Sequence, residues 1–297
     1  MKVLITGHNG FLGKSIVSKL YNNKKIVGVD KVTSDNPLIK SIKHDLMFYS
    51  SIVEEEIKSS DVVIHLAGPV GVERIDYNHD TYLNDMLTIN LNIFNLVKKY
   101  NKKIIFASTS EVYHNVISAK ETDNLVIGGP DKSRWGYASG KLTSEFLCKS
   151  LCQNSLILRF FNITGVGDNK GVLYKMVTAI KTNNNIQLYG SGNQVRSFCD
   201  QRDAVEFIKL AIDNNIFNGD IFNVGSAENY ITMSDLAILC KNISNKNVNI
   251  DRIDYNEIFS KNHDDILYRS PCCKKMNTVY KAKYTNADII KSMLNEK

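Results

Sequence analysis

The 297-residue chain contains no stretch of 18 apolar residues, so no segment reads as a membrane-spanning helix. Met1-Lys2 leads straight into an apolar run without the regions of a secretory leader, and a cytoplasmic location away from membranes is expected. Cysteine pairs spaced for metal are lacking: Cys148, Cys152, Cys199, Cys240, Cys272 and Cys273 include no CxxC pair. Reduced thiols and no metal site are the expectation. Dense basic runs are missing as well. The net charge of +6 comes from scattered lysines, which suits an anionic small molecule better than nucleic acid. Repeats and low-complexity linkers are also absent, which leaves enough chain for one large α/β domain carrying a smaller lobe.

What is present begins at the first residues. Lys2-Val3-Leu4-Ile5-Thr6 reads as a buried parallel strand running into Gly7-His8-Asn9-Gly10-Phe11-Leu12-Gly13. An amphipathic stretch from Lys14 to Tyr21 follows. Strand, glycine turn and helix start form the context of a dinucleotide fingerprint, in which bare backbone approaches a pyrophosphate. A second strand, Lys25 to Asp30, ends on a carboxylate roughly 20 residues past the glycines, where the acceptor for the adenosine ribose belongs. A carboxylate there repels a 2′-phosphate, so the expected cofactor is NAD rather than NADP, although Lys31 works against that choice. The bland alternative is an ordinary glycine turn with a solvated Asp.

Tyr137-Ala138-Ser139-Gly140-Lys141 places a phenol and an ammonium on one helical face, a turn apart. A Lys beside a phenol favours the phenolate and makes it a usable base. Such a pair also arises by chance in Lys-rich helices, so its weight comes from its position in the chain. Asp61 to Gly68 predicts a fourth strand, Asn84 to Tyr100 a helix, and Lys103 to Ala107 a buried strand. That last strand delivers Ser108-Thr109-Ser110-Glu111 to the edge where ligands bind in wound sheets. Trp135 to Leu151 is the helix of Tyr137 and Lys141, and Leu156 to Phe160 a sixth strand. Lys181 to Asn185 reads as a polar loop. The alternation predicts an α/β fold: a doubly wound parallel sheet.

These pieces resemble the extended short-chain dehydrogenase/reductases, in the NAD-dependent nucleotide-sugar epimerase/dehydratase family. The match runs through the GxxGxxG turn, Asp30, Asp45-Leu46, His65-Leu66-Ala67, Ser108 to Tyr113, Tyr137 with Lys141, and Arg159 to Asn162. It continues through Arg196-Ser197-Phe198, Asp203-Ala204-Val205 and Phe222 to Gly225. The resemblance implies a Rossmann domain over 1–160 with return segments near 200–225, interleaved with a sugar-nucleotide lobe over 161–297. It implies NAD contacts from Gly7, Asn9, Gly10, Phe11, Leu12, Gly13, Asp30, Asp45, Leu46, Leu66, Ala67, Ser108, Tyr137 and Lys141. Thr109, Tyr137 and Lys141 are then the catalytic core: Tyr137 deprotonates a sugar hydroxyl, Lys141 also holds the nicotinamide ribose, and Thr109 orients the hydroxyl. Plain alternatives are a helix cap for Thr109, a core aromatic for Tyr137 and a solvated face for Lys141.

Dehydratases of this family usually carry Thr-Asp-Glu where this chain has Thr109-Ser110-Glu111. A serine hydroxyl is a poor acid for expelling water. Thr-Ser-Glu-Val-Tyr resembles the UDP-glucuronic acid decarboxylases, as do Asn124 to Pro130 and Ser133-Arg134-Trp135-Gly136-Tyr137. The implied chemistry is oxidation at C4, loss of CO₂ from the β-keto acid, and reprotonation at C5, with Glu111, Ser110 and Arg269 as candidates. Arg269 serves equally well as a diphosphate ligand. Arg196 is assigned to nucleotide phosphate and Asn162 to substrate. A 4-epimerase or another 4-keto sugar enzyme is the alternative reaction. Regulators of this fold that bind NAD without catalysis typically lose the Tyr or the Lys, and this chain keeps both. His114 replaces the usual glycine after Val-Tyr, and Val279 to Tyr284 replaces a usual Leu-Gly-Trp-x-Pro. A homodimer is expected, pairing the helices of Asn84 to Tyr100 and of Tyr137 with their copies.

Overall fold

The computed structural model describes residues 1–69, 79–132, 134–254, 257 and 264–296; Ser133 of the motif above lies outside them. The first strands are β1 (Lys2–Thr6), β2 (Lys25–Asp30), β3 (Lys40–Lys43), β4 (Val62–His65) and β5 (Lys103–Thr109). Next come β6 (Val116–Ala119), β7 (Ser155–Phe160), β8 (Ile163–Thr164), β9 (Ile186–Tyr189) and β10 (Val195–Ser197). The last are β11 (Cys199–Asp200), β12 (Asp220–Val224), β13 (Tyr230–Thr232), β14 (Ile250–Ile253) and β15 (Tyr268–Pro271). The helices begin with α1 (Phe11–Leu20), α2 (Ser51–Ser59), α3 (His79–Lys99) and α4 (Arg134–Leu151). They end with α5 (Gly171–Lys181), α6 (Gln201–Asp213), α7 (Met233–Ser244) and α8 (Asn286–Leu294).

Two units share these elements. The first is Met1–Val112, Ile127–Arg159 and Ile208–Phe222. Its centre is a seven-stranded parallel sheet in the order β12-β7-β5-β4-β1-β2-β3. Val3, Leu4 and Ile5 of β1 and Val62, Val63 and Ile64 of β4 are fully buried, as strands covered on both faces must be. Strand order reverses between β1 and β4, so the turns after these two strands flank the switch point where such sheets take ligands. One core of this sheet joins Leu4, Val63, Ile104 and Phe106 to Val53 and Ile57 of α2 and Ile93, Phe94 and Val97 of α3.

The second unit is Tyr113–Val126, Phe160–Phe207 and Asn223–Lys297. The segment 113–126 therefore falls in this unit and not in the expected 1–160 domain. The reason is pairing: β6 runs parallel to β15, with Val116 opposite Arg269, in a sheet ordered β13-β10-β15-β6. Leu173, Val177 and Ile180 of α5 pack with Leu236 and Cys240 of α7 and Ile289 and Ile290 of α8 in a separate core. The divergent stretch 279–284 is tied down by buried Asp203. Its carboxylate accepts from Tyr280 Oη (2.8 Å) and from the Lys283 and Tyr284 amides (3.0 and 3.2 Å).

Helix boundaries differ slightly from the sequence reading. α1 starts at Phe11 rather than Lys14, because Gly10 itself serves as the extended N-cap. His114 sits at φ +62°, which explains why glycine is the easier residue at that turn.

Candidate functional site

The glycine turn is built by close backbone approach. Gly7 adopts φ +72°, and a Cβ there would lie 2.9 Å from the Ala67 backbone nitrogen. One at Gly10 would lie 3.2 Å from the Gly7 carbonyl oxygen. Gly10 caps α1 without a side chain over the first amides, and Phe11, Leu12 and Gly13 form the first turn. Those amides point at whatever lies beyond the turn.

Asp30 is held at the same turn. Its Oδ2 accepts from the Asn9 amide (3.0 Å) and its Oδ1 from the Val32 amide (3.2 Å). Lys31 directs its ammonium to Asp45, 3.1 Å from Oδ2. Burial raises the Asp45 carboxyl, but the Met47 amide and Lys31 outweigh it and hold the group below its usual range. Leu46 is buried, and its carbonyl accepts from Asn92 Nδ2 (2.9 Å). The Leu66 amide donates to the Thr6 carbonyl (3.2 Å) and the Ala67 amide to Thr6 Oγ1 (3.2 Å), which closes the turn after β4 onto β1.

β5 and α4 carry the residues expected to be catalytic, in this same unit. Thr109 ends β5, and Oγ1 accepts from the Glu111 amide (3.3 Å), capping the 3-10 turn Ser110–Tyr113. Ser110 and Glu111 are buried. Tyr137 packs edge-on to Tyr82 with ring centroids 6.2 Å apart, and with Met86. Lys141 Nζ donates to the Ala107 carbonyl (2.8 Å) and lies 5.1 Å from the Phe106 ring centroid. Burial pushes this ammonium down to about 8, against the upward pull of Glu145. Lys141 is therefore a buried residue tied to β5, not a solvated one.

Three connections were not read from the sequence. Ser108, expected at the cofactor, donates its hydroxyl to Glu145, which Arg159 also grips through Nε (3.0 Å) and Nη2 (2.7 Å). Glu111 receives both Nε (2.9 Å) and Nη2 (3.0 Å) of Arg134. Buried His65 donates from Nε2 to Asn90 Oδ1 (2.9 Å), which leaves Nδ1 to accept from Thr6 (2.7 Å). The carboxylate and guanidinium types were visible, but the pairings depend on the fold.

The second unit gathers the three substrate candidates. Asn162, at φ +37°, accepts from Arg269 Nη2 (3.1 Å) and donates to the Ser197 carbonyl (3.0 Å). Arg196 and Arg269 are opposite each other on β10 and β15. Arg196 Nη1 donates to the Val195 carbonyl (2.9 Å), and Nη2 stands 3.7 Å from Asp265. Among the described residues no group of His, Cys, Asp and Glu is placed to hold a metal ion, and no helix is long and apolar enough to cross a membrane.

The sequence profile of the NAD dependent epimerase/dehydratase family matches residues 3–225. The chain belongs to this family. It is 28% identical over 295 residues to the UDP-N-acetyl-alpha-D-glucosaminuronate decarboxylase of Bacillus cytotoxicus, covering 93% of this chain and 90% of the relative. It is 30% identical to the bifunctional polymyxin resistance protein ArnA of Wigglesworthia glossinidia brevipalpis, covering 99% of this chain but only 48% of that protein. The UDP-glucuronic acid 4-epimerase of Bacillus cereus, solved with UDP-glucuronic acid and NAD, shares the fold with a TM-score of 0.82. That likeness covers 99% of this chain and 98% of the epimerase at 22% identity. The residues present fit the family's cofactor: a turn that Cβ atoms would fill, uncapped helix amides and a held carboxylate at the end of β2.

Proposed function

We propose that the protein decarboxylates a nucleotide-activated uronic acid through a 4-keto intermediate, in the manner of a UDP-glucuronic acid decarboxylase. The observation that carries this reading is Ser110-Glu111 at the end of β5: serine stands where a dehydratase needs an acid, and a carboxylate follows. The decarboxylase named above supports it. Gly7, Gly10 and the first turn of α1 would hold the pyrophosphate of NAD, and Asp30 its adenosine ribose. NAD, when bound, supplies the hydride acceptor for oxidation at C4. Tyr137 takes the proton of the C4 hydroxyl, Thr109 orients that hydroxyl, and Lys141 supports the phenolate. With the ketone β to the carboxylate, the C5–carboxylate bond breaks and its electron pair passes into the enolate. Ser110, Glu111 and Arg269 are assigned to the carboxylate, the enolate and the return of a proton to C5. Arg196 and Asn162 would hold the nucleotide and sugar.

The proposal includes a cytoplasmic homodimer formed through α3 and α4. Its chemistry is tested by incubating protein and NAD with UDP-, GDP- and CDP-sugars, uronic acids included, and following products by mass spectrometry. Loss of CO₂ from UDP-glucuronic acid or its N-acetylglucosamine counterpart is the expected result. An isomer of unchanged mass would make the protein an epimerase instead, and loss of water a dehydratase.

A further inference from the structure

Two buried ion pairs hold α4 within the first unit. Glu145–Arg159 ties its middle to β7, and Glu111–Arg134 ties its first residue to the turn after β5. In the second pair Nε and Nη2 of Arg134 address the two different oxygens of Glu111, and the side chains are 8% and 7% exposed. The location is electrostatically costly for Arg134. A cation in the first turn of a helix faces the positive end of the helix dipole, and a buried ion pair rarely gains stability over apolar side chains of the same size. Placement of the carboxylate offsets that cost: a planar fork fixes both position and rotation, which a point charge cannot do. Arg134 also lies one helical turn before Tyr137, so the segment that presents the base also fixes the acid residue.

We propose that Arg134 is the positioning residue of the sugar site, its fork aiming Glu111 and keeping it a hydrogen-bond acceptor rather than a proton donor. This rests on the reading of Glu111 as a residue that meets the sugar. With both oxygens engaged by guanidinium donors, Glu111 drops out of the three groups assigned above to the return of a proton to C5, which leaves that step to Ser110 or Arg269.

The test is chemical rescue in the full-length enzyme. Arg134→Ala should lose about 100-fold in kcat, the usual scale for leaving a buried charge unpaired, with the sugar KM changed no more than about threefold. NAD affinity, read from the fluorescence of Trp135, the only tryptophan in the chain, should be unchanged. Added guanidinium at millimolar, non-denaturing levels should restore kcat about tenfold, and it should do nothing for Arg134→Ala combined with Glu111→Gln. Equal rescue in the double variant, or near-normal kcat in Arg134→Ala, overturns the proposal.

If Arg134→Ala does not fold, Arg134→Lys keeps the charge and loses the fork. In protein labelled with carbon-13 glutamate, its Glu111 carboxylate stretch, assigned by difference against Glu111→Gln, should shift. An unmoved band overturns the proposal with no sugar present. Should neither uronic acid lose CO₂ while another sugar turns over, the decarboxylase reading fails, and Arg134 is judged on that sugar.

Discussion

On the proposed mechanism, removing the Tyr137 hydroxyl takes away the proton acceptor, while the ring stays packed against Tyr82 and Met86. Tyr137→Phe should therefore lose about 1,000-fold or more in turnover while NAD binding, followed by Trp135 fluorescence, stays within twofold, the scale set by about 10²–10⁴ for general acid–base groups. Lys141 has a consequence for stability. Its ammonium titrates at about 8 in the folded chain and at 10.5 unfolded, so the unfolded chain binds more protons between those values. Stability rises as pH climbs through that window, and the burial penalty is fully present below it. Lys141→Met should be more stable than the parent by about 2 kcal/mol at pH 7 after the lost hydrogen bond to Ala107, a gap that narrows toward pH 10 in urea titrations. The Tyr–Lys pair, the glycines and Asp30 were legible because their meaning lies in short spacings. The partners of Glu111 and Glu145 were not, since they come from 23 and 14 residues away and meet only once α4 docks.

Between elements, a chain of hydrogen bonds crosses the first unit from β1 through β4 and α3 to α4. Thr6, His65, Asn90 and Ser144 are its members, and Ser144 donates on to the Gly140 carbonyl (2.7 Å). Burial and the charge of Lys141 push the His65 imidazole down to about 3, so it is neutral in the fold. The unfolded chain takes up a proton there at about 6.5 and the folded chain does not, so stability falls as pH drops from 6.5 toward 3. His65→Gln should flatten that acid slope, measured by urea unfolding at pH 7 and pH 4.5. Gly140 makes the α3–α4 contact close: a Cβ would sit 2.9 Å from Met86 Sδ and 3.0 Å from Leu83 Cδ2. Sequence patterns located α1 and α4 within a turn, because apolar periodicity is local, but began α3 at Asn84 rather than His79 and offered no helix for α2 or for α5 to α8. They missed β6 as a strand of the second unit, because Val116 to Ala119 is half-exposed and gains its partner only from β15, 150 residues on.

For the whole molecule the exposed face of α4 bears on self-association. Phe146 on α4 is 69% exposed, with Thr143 exposed beside it and Leu142 and Leu147 half-buried. The proposed homodimer through α3 and α4 would bury that face; light scattering should then return about twice the 33.5 kDa chain mass, with Phe146→Asp shifting the protein to monomer. The interleaving of the two units also sets an order of events during synthesis. Six of the seven sheet strands have been synthesised once Phe160 is made, but the seventh, β12, begins only at Asp220. Until then β7 is the open margin of a nearly finished sheet, with unpaired backbone groups along it. A nascent chain stalled or cleaved between those points therefore exposes a ready template for strand addition, and aggregation of this protein should concentrate among chains that end there.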